Sequence, residues 1–265
     1  MEELKITLDN TYCHVIKFGH GPRDLIILPG ISLCGLQGQG EAVEKAYQIF
    51  ENDFTCYLID VRKDVKPGFT LDDIARDVYT VAYRLGIYHC SIYGVSLGGM
   101  IGVLLEEKYP NYLDGFVVCS SLCKTTKKMF EVAQEWKTYA VKYDVVGLNK
   151  SFFEHCYSKE YLKNFDNFMD SLLHQGTPKE CDRFAVLCDI LCNIDLVNAL
   201  PNIGCKTLVL GGTNDDVIGP EGSYQLADIL ACDIYMYDSY AHTVYDEAPD
   251  IKERIYNFLM ENYND

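Results

Sequence analysis

The sequence CSIYGVSLGGM at residues 90–100 constrains the fold more than any other stretch of the chain. A β-favouring run ends at Tyr93, the pattern Gly-x-Ser-x-Gly follows over residues 94–98, and an apolar, helix-forming segment continues toward Pro110. A strand, a sharp turn flanked by glycines and a helix are the context of a nucleophile elbow. Side chains two residues before and after the serine would collide with the neighbouring strand and helix, so glycine is required there. The turn would lift the Ser96 hydroxyl out of the sheet, beside the first backbone N–H of the helix.

Apolar runs alternate with helical patterns on both sides of this turn. Runs typical of strands buried on both faces of a parallel sheet occupy residues 25–28, 54–59, 115–119 and 207–210. Residues 71–85, which lie between two of them, keep apolar side chains at helical spacing. We therefore predict an α/β protein with a mostly parallel, doubly wound sheet, preceded by an antiparallel hairpin over residues 4–18.

The alternation stops after residue 123. Four helix-like segments follow without an intervening strand, at about 126–143, 145–156, 158–173 and 178–192. Strand and helix patterns then resume and end in a helix predicted over 249–262. We predict a core in two parts, residues 1–123 and 196–265, with residues 124–195 inserted as a helical cap over one edge of the sheet.

The charge of the chain restricts its partners. Asp and Glu number 39 against 23 Lys and Arg, a formal net charge of −16. Phosphate groups would repel such a surface, so neither nucleic acid nor an anionic membrane is an expected partner. Because no apolar run approaches the length of a membrane span and no secretory segment follows Met1, we expect no membrane attachment. A small-molecule substrate is the expected partner, and the oligomeric state is not indicated.

Twelve cysteines are scattered through predicted strands and helices. We interpret them as small buried hydrophobic residues of a protein in the reducing cytoplasm. Two pairs of cysteines, Cys119/Cys123 and Cys188/Cys192, are spaced i,i+4. Neither pair is accompanied in the sequence by the further cysteines or histidines that a zinc site needs. The sequence therefore predicts neither a metal ion nor an organic cofactor.

A serine hydroxyl becomes a good nucleophile only when a histidine takes its proton and a carboxylate orients that histidine. Asp215 and Asp216 follow the strand predicted at 207–210, and His242 follows the last predicted strand. Acid and base thus fall at the carboxyl edge of the sheet, where Ser96 also lies and where doubly wound sheets bind ligands. Either aspartate could serve as the acid.

With these residues the sequence resembles the α/β-hydrolase fold superfamily, in its small, capped, esterase-like group. The resemblance covers roughly residues 1–120 and 195–265. Its motifs are the elbow at 94–99, Asp60-x-Arg62, the helix start at Thr70-Leu71, Gly212-x-x-Asp215, and His242 followed by Glu247-x-Pro249. By position, the resemblance implies that Ser96 is the nucleophile, Asp215 the acid and His242 the base. The Gly212-x-x-Asp spacing favours Asp215 over Asp216, which stays the alternative acid.

The resemblance also implies an oxyanion hole built from the backbone N–H groups of Leu97 and Ile31. The family commonly has His-Gly where this chain has Pro29-Gly30, so Ser32 is the alternative second donor. The loop after Asp60 lacks the family's usual glycine and serine, and we interpret Arg62 in that loop as solvated.

The expected function is that of a carboxylesterase-like serine hydrolase, which cleaves a small or medium ester or thioester through an acyl-enzyme. The alternatives on the same triad are hydrolysis of a C–C bond, an enol-lactone or an amide. A non-catalytic, ligand-binding pseudo-hydrolase is the alternative from a different class, since fold alone does not establish activity. A serine at the elbow argues against haloalkane dehalogenase or epoxide hydrolase chemistry, which uses a carboxylate nucleophile.

Overall fold

The computed structural model of the protein describes residues 1–165, 167–261 and 263. Within them, eight strands form one sheet: β1 (Glu2–Leu8), β2 (Thr11–Gly19), β3 (Arg23–Leu28), β4 (Phe54–Ile59), β5 (Cys90–Val95), β6 (Leu113–Cys119), β7 (Thr207–Gly212) and β8 (Asp233–Tyr237). The α-helices are α1 (Gly40–Ala46), α2 (Leu71–Arg84), α3 (Leu97–Lys108), α4 (Lys127–Val141), α5 (Val145–Cys156), α6 (Lys159–Leu162), α7 (Met169–Leu173), α8 (Pro178–Leu191), α9 (Pro220–Leu230), α10 (Val244–Glu247) and α11 (Ile251–Glu261).

The strands lie in the order β1-β2-β4-β3-β5-β6-β7-β8. The hairpin β1–β2 is antiparallel, β2 pairs antiparallel with β4, and every pair from β4 onward to β8 is parallel. The predicted mostly parallel, doubly wound sheet is therefore confirmed. Since the carboxyl ends of parallel strands meet at one edge, the loops after β5, β6, β7 and β8 lie side by side.

Both faces of the sheet are covered, as the continuous apolar runs predict. Along β3, Ile26 and Leu28 pack into a core cluster shared with α2 and α3, whereas Leu25 and Ile27 pack into a second cluster shared with α11. Successive side chains of a strand point to opposite faces, so an uninterrupted apolar run is satisfied only between two layers of helices.

The chain between β6 and β7 folds as the helices α4 to α8, and its two ends meet. Lys124 and Asp195 form an isolated antiparallel bridge, and their side chains are joined by an ion pair of 2.9 Å between Lys124 Nζ and Asp195 Oδ2. The Leu196 N–H also bonds the Cys123 carbonyl at 2.7 Å. This helical segment, residues 124–195, thus leaves and rejoins the core at one place.

One of the four helices predicted in this segment is wrong. Residues 158–173, of which residue 166 lies outside the described part of the chain, form α6, a 3₁₀ turn at Lys163–Phe165 and α7 instead of one helix. The Phe168 N–H bonds the Phe165 carbonyl at 2.7 Å, which closes a turn. Asn164 precedes that turn and Asn167 lies within it, and asparagine competes with helical hydrogen bonds by bonding to nearby backbone groups. The predicted last helix is observed as α11, and residue 262 lies outside the described residues.

Within the described part of the chain, each helix is too short or too polar to cross a lipid bilayer. All twelve cysteines are free thiols, and eight of them lie buried in the two core clusters, as their interpretation as small hydrophobic residues predicts.

These thiols are expected to resist alkylation in the native protein. Burial raises the pKa of Cys13 and of Cys119 to about 12 in each case, with small additional contributions from neighbouring groups. The thiolate is the form that reacts, and at pH 8 a pKa of about 12 leaves only about 10⁻⁴ of each of these cysteines as thiolate. Iodoacetamide at pH 8, followed by mass spectrometry, should leave both residues unmodified until the protein is unfolded with urea. Rapid labelling of Cys119 in the folded protein would contradict its burial.

Candidate active site

Ser96 lies between β5 and α3 in a strained backbone conformation. Its φ is 49° and its ψ is −115°, and its side chain is buried. A Cβ atom on Gly94 would lie 2.6 Å from the Gly98 carbonyl oxygen, and one on Gly98 would lie 2.0 Å from the Leu28 carbonyl oxygen. Glycine is therefore required on both sides of the serine for the steric reason that the sequence indicated. Strain of this kind at a non-glycine residue is typical of functional sites.

His242 and Asp215 form a buried hydrogen bond. His242 Nδ1 lies 2.7 Å from Asp215 Oδ2, and both side chains are at most 5% exposed. The other carboxylate oxygen, Asp215 Oδ1, accepts the backbone N–H groups of Val217 at 2.9 Å and Ile218 at 3.0 Å. These bonds fix the carboxylate in place, and an ionised carboxylate can only accept, so Nδ1 carries the proton and Nε2 is left as an acceptor.

The Asp216 side chain has different partners from the Asp215 side chain. Its carboxylate is paired with Lys128 of α4, and its Oδ2 lies 3.0 Å from His155 Nδ1 at the end of α5. Burial raises the pKa of Asp216, but the hydrogen bonds from Lys128 and His155 outweigh it and leave that pKa below its ordinary value. Asp215 thus contacts the candidate base, whereas Asp216 joins the same loop to the helical segment.

The loops after β7 and β8 are pressed together. A Cβ atom on Gly212 would lie 2.3 Å from the Tyr240 carbonyl oxygen, so only glycine permits this approach. The same carbonyl accepts the Asn214 N–H at 2.9 Å. This contact explains why residue 212 is a glycine, and it holds the loop of Asp215 against the loop of His242.

The loop after β3 lies against Ser96. A Cβ atom on Gly30 would lie 3.2 Å from Ser96 Cβ and 3.8 Å from Ser96 Oγ, which places the Gly30–Ile31 peptide beside the serine side chain. The Ser32 hydroxyl instead donates to the Cys34 carbonyl at 2.8 Å. Leu97 is the first residue of α3, and the N–H groups of a first helical turn have no partner within the helix.

Among the described residues, no hydrogen bond joins Ser96 Oγ to His242. Catalytic hydrogen bonds are often long before substrate binds and shorten in the complex.

The sequence did not reveal a buried arginine beside this loop. Arg183 of α8 is 6% exposed; its Nη2 donates to Asp60 Oδ1 at 3.1 Å and to the Val61 carbonyl at 3.1 Å, and its Nη1 donates to the Ser32 carbonyl at 3.4 Å. Arg183 thus joins the helical segment to the loops after β3 and β4. A charged residue on the apolar side of a helix was the sequence feature that could have indicated this buried arginine.

The expectation that Arg62 is solvated is wrong. Its guanidinium forms two hydrogen bonds with Asp77 of α2 and is mostly buried.

Breaking the Arg183–Asp60 pair should destabilise the protein strongly. Arg183→Met leaves Asp60 as an unpaired buried charge, which typically costs about 3–5 kcal/mol. Arg76→Met removes an exposed ion pair with Asp73 and should change the free energy of unfolding by less than about 1 kcal/mol. Urea denaturation of both variants measures the difference. Equal, small effects would show that the buried pair contributes little.

Within the described residues, no group of three or more His, Cys, Asp or Glu side chains is placed to hold a metal ion. The polar groups that converge at the carboxyl edge of the sheet are a hydroxyl, an imidazole, a carboxylate and backbone N–H groups, which suit acyl transfer.

Comparison with known proteins finds relatives of this chain among hydrolases. A sequence model of the family described as "Serine aminopeptidase, S33" matches residues 43–249. The 3-oxoadipate enol-lactonase 2 of Acinetobacter baylyi is 20% identical over 200 residues, which cover 74% of this chain and 73% of the enzyme. A protein of Serratia proteamaculans, provisionally named a carbamate hydrolase, is 25% identical over 224 residues, which cover 78% of this chain and 81% of that protein.

The fold is also shared with a solved structure. The enol-lactonase from Burkholderia xenovorans superimposes with a TM-score of 0.85 at 18% sequence identity, over 97% of this chain and 100% of that chain. At this identity the likeness establishes a common fold.

Proposed function

This chain belongs to the serine aminopeptidase S33 family of α/β hydrolases, and from that premise we propose that it is a serine hydrolase that cleaves an ester bond through Ser96, His242 and Asp215. The observation that carries the proposal is the buried 2.7 Å hydrogen bond from His242 Nδ1 to Asp215. It sets the tautomer in which Nε2 can take a proton, at the same sheet edge as a serine on a strained elbow.

In the proposed reaction, His242 Nε2 takes the Ser96 proton as Oγ attacks the carbonyl carbon of the substrate. The tetrahedral intermediate collapses when the imidazolium returns this proton to the leaving alkoxide, which gives an acyl-enzyme and an alcohol. A water molecule, deprotonated by His242, then attacks the acyl carbon, and Ser96 recovers its proton as the acid is released. Asp215 stays ionised and stabilises the imidazolium in both halves.

The proposed oxyanion hole consists of the backbone N–H groups of Leu97 and Ile31. Two observations favour Ile31 over Ser32 as the second donor. The peptide that contains the Ile31 N–H begins at Gly30, which lies against Ser96, and the Ser32 hydroxyl is already bonded to the Cys34 carbonyl. Fixed N–H donors of this kind stabilise the charge that develops on the oxygen without reorganising during the reaction.

Residues 124–195 are proposed to act as a cap over this site. The contacts of Arg183 with the Ser32 loop, and of His155 and Lys128 with Asp216, support this role. The Thr243 N–H bonds the Cys156 carbonyl of α5 at 2.9 Å, directly beside His242. With Ser96 and His242 both buried, the cap would exclude water and admit only small or medium substrates.

Ester cleavage is the main proposal, and hydrolysis of an enol-lactone is the second candidate. An enol-lactone is itself a cyclic ester, and the Acinetobacter relative and the Burkholderia structure are both enol-lactonases. Amide, thioester and C–C bond hydrolysis use the same triad and belong in the same test. The bond between His242 and Asp215 argues against a non-catalytic pseudo-hydrolase, because a protein that only bound ligands would not need a fixed tautomer.

The free cysteines support a reducing, cytoplasmic location.

A fluorophosphonate probe tests the proposal directly. We expect covalent labelling at Ser96, located by mass spectrometry of the digested protein. A panel of p-nitrophenyl esters, thioesters, anilides and an enol-lactone then identifies the bond that is cleaved. Labelling of another residue, or no turnover of any substrate in the panel, would refute the proposal.

A further inference from the structure

Two consecutive serines follow β6 at the carboxyl edge of the sheet. Strand β6 lies between β5, which Ser96 directly follows, and β7, whose following loop carries Asp215. Residues directly after β6 therefore lie between the loops of Ser96 and Asp215. Ser120 and Ser121 occupy this place, and both are fully buried.

Each serine hydroxyl bonds the backbone of a different catalytic residue. Ser120 Oγ donates to the His242 carbonyl at 2.6 Å, and Ser121 Oγ donates to the Ser96 carbonyl at 2.8 Å. Both distances are those of good O–H···O hydrogen bonds. The Ser120 φ of 49° lies in the left-handed region, a conformation unfavourable for serine that places the two hydroxyls against different loops.

Backbone hydrogen bonds and close packing also fix the end of β6 in the sheet edge. The Ser96 N–H bonds the Cys119 carbonyl at 2.9 Å, and the Ser120 N–H bonds the Leu210 carbonyl at 2.8 Å. A Cβ atom on Gly99 would lie 2.7 Å from Ser121 Oγ, so the first turn of α3 packs directly on Ser121. The end of β6 is thus fixed on both sides.

We propose that Ser120 and Ser121 are positioning residues, which set the distance between the base and the nucleophile by holding the two backbones to one rigid dipeptide. The proposal rests on the roles assigned above to Ser96 and His242. A rigid link of this kind matters because a displacement of about 1 Å at a reacting group costs about 100-fold in rate.

The two serines should not contribute equally. The Ser96 carbonyl also accepts the N–H groups of Gly99 at 3.0 Å and of Met100 at 3.4 Å, so it stays bonded without Ser121. Within the described residues, the His242 carbonyl accepts a hydrogen bond from Ser120 alone. Removal of the Ser120 hydroxyl leaves that buried carbonyl unpaired, and the loop of His242 can then move.

The test compares serine variants by kinetics and by labelling. Ser120→Ala should lower kcat by about 10- to 100-fold while KM changes by less than about threefold, because the geometry of the chemical step is lost and binding is kept. The rate of fluorophosphonate labelling at Ser96 should fall by the same factor. Ser121→Ala should have a smaller effect on both quantities.

Two further variants separate positioning from folding. Ser120→Gly also removes the hydroxyl but relieves the positive φ, which offsets part of the cost of the unpaired carbonyl, so it should be more stable than Ser120→Ala and still lose the same activity. Ser91→Ala is the matched control, because Ser91 is equally buried and its hydroxyl lies 3.0 Å from Tyr263 Oη at the opposite end of β5. It should keep wild-type kcat.

Labelling of the wild-type protein at Ser96 tests the proposed function, and the variants test the positioning role separately. Wild-type kcat in either folded Ser120 variant would overturn the positioning role, as would an equal loss in Ser91→Ala. Melting curves establish which variants are folded.

Discussion

Ser96→Ala is expected to lower kcat by about 10⁶-fold, the loss measured when the nucleophile of a serine protease triad is removed. The hydroxyl is the atom that forms the acyl-enzyme, and no neighbouring group can replace it. The fold should remain, because alanine removes one buried oxygen and keeps the backbone conformation. Turnover of the best substrate of the panel, with the melting temperature of the same preparation, is the measurement.

Ser91→Ala serves as the control here too. Ser91 lies within β5 and Ser96 directly follows that strand, and each substitution removes one buried hydroxyl. A folded Ser96→Ala protein that kept more than about 1% of wild-type turnover would contradict a mechanism through an acyl-enzyme on Ser96.

The second large effect is expected at Asp215. Asp215→Asn should lower kcat by about 10⁴-fold, because an amide that donates to Nδ1 holds the imidazole in the wrong tautomer. Asp216→Asn is the matched control, being the same change one residue along the same loop. It should stay within about tenfold of wild type, because a half-exposed ion pair contributes at most about 1 kcal/mol.

Kinetics of both variants with one activated ester, with melting curves, measure this difference. If Asp216→Asn were inactive and Asp215→Asn active, the acid would have to be reassigned and the hydrogen bond between Asp215 and His242 would have no catalytic meaning.

Much of the fold could be predicted because its signals are local. Buried parallel strands need uninterrupted apolar runs, and the elbow needs glycines at positions 94 and 98, so both are written in short stretches of sequence. The break between α6 and α7 was missed because the apolar spacing continues through it while Asn164 and Asn167 interrupt the helix.

The site was harder to predict because its details depend on contacts between distant residues. The place of Asp215 and Asp216 after the same strand left both as candidates for the acid, although the spacing from Gly212 favoured Asp215. In the structure, the Val217 and Ile218 N–H groups bond one carboxylate oxygen of Asp215, and the other oxygen bonds His242. Arg183 lies more than one hundred residues from Asp60, so no pattern of sequence neighbours could pair them. Ser120 donates its hydrogen bond to a backbone carbonyl. Because every residue has such a carbonyl, the sequence contains no pattern that predicts this contact.

The bridge between Lys124 and Asp195 bears on how such a protein can acquire new substrates in evolution. Because both ends of the helical segment are fastened at one point, its length and sequence can change while the strands of the core stay in register. Closing a flexible loop twice as long costs only about 0.6 kcal/mol. Under the proposed role of this segment as a cap, changes in its length or in residues away from Arg183 would alter substrate selectivity during evolution while Ser96, Asp215 and His242 keep their places.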